Sequence, residues 1–251
     1  MEETKQNTYL KRFYKIFPIF YGLSGDLLFY VAIDTLFYTV VKGFSADKLS
    51  LLTTVSTLFC IVLKVPLTKI IERIGNTKSV RVGTFGLIIT SLIITFSESF
   101  LIIMIARIIY LVSFVFKNMD NAMLKNNLAI QNREEDYAKI TSNGSTVYAI
   151  ITLLIALVAG HLFNINNYLP MYFCIAFCVI SFGMSLYLKD ISTNDKQVLK
   201  QKDSKQKVKL SKIIFIVLVF YGIFYALVDV GQSNGKLLIQ YELSNMYDIS
   251  K

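Results

Sequence analysis

The chain has 251 residues, 54% of them hydrophobic and 17% charged, with a formal net charge of +9. A mean hydropathy of +0.54 and long, nearly charge-free apolar blocks exclude an ordinary soluble domain, which needs a charged surface and amphipathic periodicity. About twenty such residues cross a hydrocarbon core of roughly 30 Å at 1.5 Å rise each, so an all-α polytopic membrane protein is expected.

Seven spans are predicted, at residues 16–41, 49–71, 80–96, 100–116, 141–163, 169–188 and 213–235. None has the dyad alternation of an outer-membrane barrel strand, and a spanning segment must bond its own backbone, so all are helices. The first is too long for a signal-peptide core. It contains SGDLLFYVAIDTLFY, residues 24–38, with two aspartates in apolar surroundings. As one continuous helix it carries Gly22, Asp26, Tyr30, Asp34 and Tyr38 four residues apart, on one ridge. A carboxylate facing lipid is costly, so the ridge is expected to face the bundle or a wet cavity.

Between the second and third spans lies VPLTKIIERIGNTKSVRVG, residues 65–83. It reads as a turn in which Gly75-Asn76 permits positive φ. The fourth span holds Arg107, roughly 11 Å from the outer end at helical rise. Asp26 lies at a similar depth, about 15 Å in by the same count. That makes it the expected ion partner of Arg107, with Asp34 next in line. QNREEDYAKITSNGS, residues 131–145, is a charged run and then an Asn-Gly, which predicts a turn feeding the fifth span. His161, the single histidine, falls at the outer end of that span and reads as an interfacial polar residue. Cys60, Cys174 and Cys178 all lie within spans, as small packing residues.

Residues 189–212, with eight lysines, form a basic, solvated loop ahead of the seventh span. The basic residues are unevenly shared. With the N-terminus inside, the inner segments hold 21 Lys and Arg and the outer ones four. This bias is the positive-inside rule, so the charge encodes orientation and some attraction to anionic lipid rather than nucleic-acid binding. FYVAID at residues 29–34 recurs as FYALVD at residues 224–229, which places Asp229 in the seventh span as the counterpart of Asp34. On a helix, Tyr221, Tyr225, Asp229 and Ser233 share one ridge. The seventh span then begins a second copy of the first six. The expected organisation is a six-helix bundle over 1–188, a loop over 189–212, and the first helix of an incomplete second half over 213–251.

The 65–83 stretch resembles the loop 2–3 signature of the major facilitator superfamily, Gly-x-x-x-Asp-Arg-x-Gly-Arg-Lys. Glu72 stands for the acid, Arg73 and Gly75 match, and Lys78 is a displaced basic residue; Thr68 replaces the first glycine. Six helices, a basic inner loop and a restart fit the same family. The resemblance implies a secondary transporter with alternating access, whose first, fourth and seventh helices line a cavity. Asp26, Tyr30, Asp34, Arg107, Tyr225 and Asp229 would then bind a small solute or protons, and Glu72, Arg73, Gly75 and Lys78 would gate through loop 2–3. Helix 4 reads Arg107-Ile108-Ile109-Tyr110-Leu111 and not the Arg-x-x-Gln-Gly of drug–proton antiporters, so the substrate stays open.

No phosphate-binding glycine loop, metal cluster or nucleophile–base pair is evident, so neither an enzyme nor a cofactor is expected. The expected partners are the lipid bilayer, a small-molecule substrate, protons and a chain supplying the remaining helices. Alternatives are a remnant that does not transport and one piece of a split transporter. A seven-helix receptor is disfavoured by the inner N-terminus and the lack of a lysine midway along the seventh span. The Lys-, Ile- and Asn-rich composition points to an AT-rich bacterial genome and hence a plasma membrane.

Overall fold

The computed structural model describes residues 2–191, with side chains from Asn7 onward, together with positions 216, 217, 219–224, 227, 228, 231, 235, 236, 238 and 242. Eight α-helices form within residues 2–191: α1 (Glu2–Leu23), α2 (Leu28–Leu36), α3 (Ala46–Ile74), α4 (Asn76–Phe96), α5 (Phe100–Lys117), α6 (Met119–Ile130), α7 (Tyr137–Ile165) and α8 (Leu169–Tyr187). Successive pieces join into six stretches long and apolar enough to cross a bilayer, Asn7–Val41, Ala46–Ile74, Asn76–Phe96, Phe100–Ile130, Glu134–Ile165 and Leu169–Tyr187. The described positions from 216 to 242 are all helical, past the predicted end at residue 235. Most of the 189–212 loop, and Tyr225, Asp229 and Ser233, lie outside the described residues.

The helices satisfy their backbones internally, as hydrocarbon requires. Several of their Ser and Thr hydroxyls turn back onto the preceding turn: Ser56 donates to Leu52 O (2.6 Å), Thr84 to Val80 O (2.9 Å) and Thr95 to Ser91 O (2.6 Å). One buried cluster runs through the outer half, including Tyr30, Ile33, Phe37, Leu87, Ile94, Ile103 and Cys174. A second holds the ends near the basic loops, with Phe13, Phe17, Phe20, Met123, Leu124 and Leu128. Apolar side chains such as Leu58, Val62 and Val65 on α3 and Leu153, Leu154 and Leu157 on α7 face outward.

Three sequence expectations are corrected. The first span is not one helix: it breaks over residues 24–27 and resumes at Leu28, then closes with a π-helical turn at Phe37–Val41. The reason is local. Ser24 Oγ donates to Phe20 O at 2.7 Å, Gly25 is a poor helix former, and the Asp26 carboxylate accepts its neighbour's Leu27 N–H at 2.7 Å. The ridge of Gly22, Asp26, Tyr30, Asp34 and Tyr38 is therefore cut at Asp26, and only its outer members share a helix.

The fourth span, predicted to end at residue 116, continues through Asn118 into α6 and reaches Ile130. Lys117 and Asp120, which follow that predicted end, are buried there and pair at 3.0 Å. The Asn143-Gly144 pair is no turn but lies inside α7. Gly144 is needed for a close approach: a Cβ there would sit 2.8 Å from Tyr21 Cδ1 on α1, and one at Gly22 would sit 2.5 Å from Val147 Cγ1. Small residues let two membrane helices touch in this way.

Candidate functional site

The break in the first span falls near the middle of the Asn7–Val41 stretch, and α5 packs beside it with Arg107 and Tyr110. Asp26 Oδ1 accepts a hydrogen bond from Tyr110 Oη at 2.5 Å in addition to the one from Leu27 N. Arg107 Nη1 donates to Tyr30 Oη at 3.0 Å, and Tyr30 Oη donates on to Tyr38 Oη at 3.2 Å. The guanidinium carbon stands 4.9 Å from the centre of the Tyr110 ring and 5.9 Å from that of Tyr30. Both rings offer it their faces, an attraction that strengthens where water is scarce.

The expected Asp26–Arg107 ion pair is replaced by a shared aromatic frame. No salt bridge joins the two; Tyr110 binds the carboxylate through its hydroxyl and the guanidinium through its ring. Tyr38 and Tyr110 are fully or nearly buried, as is Tyr30. Sequence reasoning named Tyr30 and Arg107 among the candidate site residues but did not pair them, and gave Tyr110 no role. Its position three residues after Arg107, on the same helix face, was the available signal.

Asp34 does not turn toward Arg107 either. Its Oδ1 accepts the Thr35 N–H at 2.7 Å and forms a 3.0 Å salt bridge with Lys236 Nζ, which also donates to Val31 O at 2.9 Å. Lys236 lies just past the predicted end of the seventh span.

At the opposite end, Gly75 takes φ +82° between α3 and α4, the conformation anticipated for that turn, and Glu72, Arg73 and Lys78 project outward and exposed. Next to them is a network that the sequence did not announce. Buried Asp190, just after α8, accepts from Asn76 Nδ2 at 2.8 Å and Asn126 Nδ2 at 2.9 Å, while its N–H donates to Thr77 Oγ1 at 2.8 Å. Asn127 Nδ2 donates to Lys189 O at 3.0 Å and its Oδ1 accepts from Ile191 N at 2.9 Å. The exit from α8 is thus tied to the start of α4 and the last turns of α6. His161 is exposed, and the three cysteines are unpaired, Cys174 and Cys178 buried.

The first span is thus interrupted near its middle, with a carboxyl in the gap and a guanidinium close by, both held by aromatic side chains of the bundle. The model of the Major Facilitator Superfamily matches residues 18–239, and the chain belongs to that family of membrane transporters. A comparison with curated proteins finds no match.

Proposed function

We propose that the chain acts in proton-coupled secondary transport of a small solute by alternating access. Asp26 takes up and releases the coupling proton, and Arg107 with Tyr30 and Tyr110 orients the solute. The observation that carries this reading is the placement of Asp26 in the helix break, bonded to Tyr110 beneath Arg107. A carboxyl held by two donors at bilayer depth changes its charge as its surroundings change, and each change alters the field at Arg107. Rocking of the bundle about this point would expose the group to each side in turn. Tyr225 and Asp229 would complete the cavity from the seventh span, and Glu72, Arg73 and Lys78 would hold one gating state at the inner surface, with Gly75 setting their turn.

The test is reconstitution into liposomes loaded with a pH-sensitive dye, challenged with amino acids, sugars, carboxylates and amphiphilic cations. At least one class should move protons with the parent chain and none with Arg107→Ala. Proton movement that survives Arg107→Ala unchanged would refute the assignment.

A second reading has its own support. The exposed surface of α3 carries Thr54, Thr57 and Lys64 within its span, and that of α7 carries Ser142 and Ser145. Such groups suit protein or water better than acyl chains, which favours further helices packed there, supplied by another chain. Particle mass in mild detergent decides this: a complex larger than one chain supports it, and a monomer that transports excludes it.

A further inference from the structure

The Arg107 guanidinium carries five N–H donors. Among the described residues one of them has an acceptor, through the 3.0 Å bond from Nη1 to Tyr30 Oη. The two carboxylates of the first span are engaged elsewhere: Asp26 by Tyr110 Oη and its neighbour's N–H, Asp34 by Lys236. A cation within a span is costly without a counter-charge. We propose that the solute bound here is a small monocarboxylate, gripped by Arg107 through two parallel N–H···O bonds, and that it crosses in the same direction as the coupling proton. The proposal rests on the transporter reading above and names its substrate class and the sense of its coupling.

The chemistry of the site selects among solute classes. Arg107 already lies over the rings of Tyr110 and Tyr30, so the faces that would receive an organic cation hold a like charge. A sugar brings no charge to set against the guanidinium, and a phosphate monoester brings roughly two at neutral pH. A carboxylate brings one and matches the planar fork. Stacking on Tyr110 and the bond to Tyr30 fix that fork before the solute arrives. The sense of coupling follows from Asp26, which is bonded to the same Tyr110 whose ring carries Arg107. Ionised, Asp26 offsets the guanidinium and repels an arriving anion; protonated, it does neither. Proton and carboxylate therefore strengthen each other's binding, and linkage makes the effect reciprocal. The other titratable groups around the break are Tyr30 and Asp34 on α2, Tyr38 in the π-helical turn, Tyr110 on α5, Tyr148 of α7 beside Gly25, and Cys178 on α8. Phenols and thiols ordinarily keep their protons between pH 6 and 7.5, and Asp34 is held by Lys236.

The test is equilibrium dialysis of the purified chain in detergent with labelled acetate, lactate and benzoate, each competed by its own amide and by benzylamine. At least one acid should bind, and neither its amide nor the amine should displace it; this selectivity is read on the parent chain and needs no variant. Its affinity should rise on acidification from pH 7.5 to 6, by up to about tenfold per pH unit for one linked proton. Arg107→Lys keeps the charge but loses the fork, and should bind about tenfold more weakly or worse. Asp26→Asn should bind at pH 7.5 as tightly as the parent does at pH 6, with no dependence on pH. Binding of none of the three acids, displacement by benzylamine, unchanged binding in Arg107→Lys, or parental pH dependence in Asp26→Asn each overturns the proposal. Binding in detergent requires no transport, so the two readings fail separately. Carboxylate binding of this pattern without proton movement in liposomes counts against transport alone, whereas proton movement driven only by cations counts against the carboxylate.

Discussion

Replacing Gly83 by alanine adds one methyl group where α4 meets α5. An ideal Cβ at this position would lie 2.6 Å from Ser113 O and 2.9 Å from Lys117 Cα, and closer still to Lys117 N. Apolar carbon contacts settle at about 3.5–4.0 Å, and these obstacles are backbone, so no rotamer change relieves them. The helices must separate by on the order of 1 Å, at an overpacking cost of about 1–3 kcal/mol. Alanine's better helix propensity returns up to about 1 kcal/mol, leaving a net loss of roughly 0–2 kcal/mol. For a chain of this size each kcal/mol moves the melting temperature by roughly 2–4 °C, so Gly83→Ala should melt about 2–12 °C below a helical Gly→Ala variant that gains the same propensity without the clash. A thiol-reactive dye reports the transition directly, because Cys174 and Cys178 are buried until the bundle opens. Gly160→Ala and Gly183→Ala are the controls, since a Cβ at either meets nothing within 4 Å; both should melt at or above the parent. Equal melting of Gly83→Ala and Gly160→Ala would refute the argument. Because α5 carries Arg107 and Tyr110, the same substitution should also slow solute-driven proton movement.

Tyr110→Phe keeps both ring faces but removes the hydroxyl bonded to Asp26, a loss of about 1.5–3 kcal/mol for a bond to a charged acceptor; it should lower both melting temperature and proton flux, whereas Tyr172→Phe on the exposed face of α8 should change neither. Lys117→Met leaves buried Asp120 without its cation and should destabilise by about 3–5 kcal/mol. Lys117→Met combined with Asp120→Leu should recover most of that in the same dye assay. Asp190→Ala strips Asn76 and Asn126 of their acceptor; proteolysis in the 189–212 loop should become faster, and an unchanged cleavage rate would show that the network does not hold the α8 exit.

The spans were legible because hydrocarbon imposes one rule on every segment, and a twenty-residue apolar block obeys it visibly. The depth agreement of Asp26 and Arg107 was legible for the same reason, since helical rise converts residue counts into distances. The helix break was written in Ser24-Gly25-Asp26 but masked by the apolar residues on both sides, which satisfy the spanning pattern whether or not the helix is continuous. Charges misled at the α5–α6 junction. Lys117 and Asp120 look like loop residues singly, and only their i,i+3 spacing on a continuous helix lets them enter together. Gly144 misled in the opposite sense, as a turn glycine whose real constraint is the Tyr21 ring of another helix. Partner choice was least legible. Which of Tyr110, Asp34 or Lys236 a buried charge finds depends on side-chain reach across helices, and no spacing within one helix records that.

The central claim is that the carboxyl in the break of the first span couples solute movement to protons. The direct measurement compares two fluxes in liposomes carrying Asp26→Asn: exchange of labelled for unlabelled solute, and accumulation driven by a pH gradient. A permanently neutral side chain at position 26 should leave exchange within a few-fold of the parent and abolish accumulation. Accumulation at the parent's level would contradict the account.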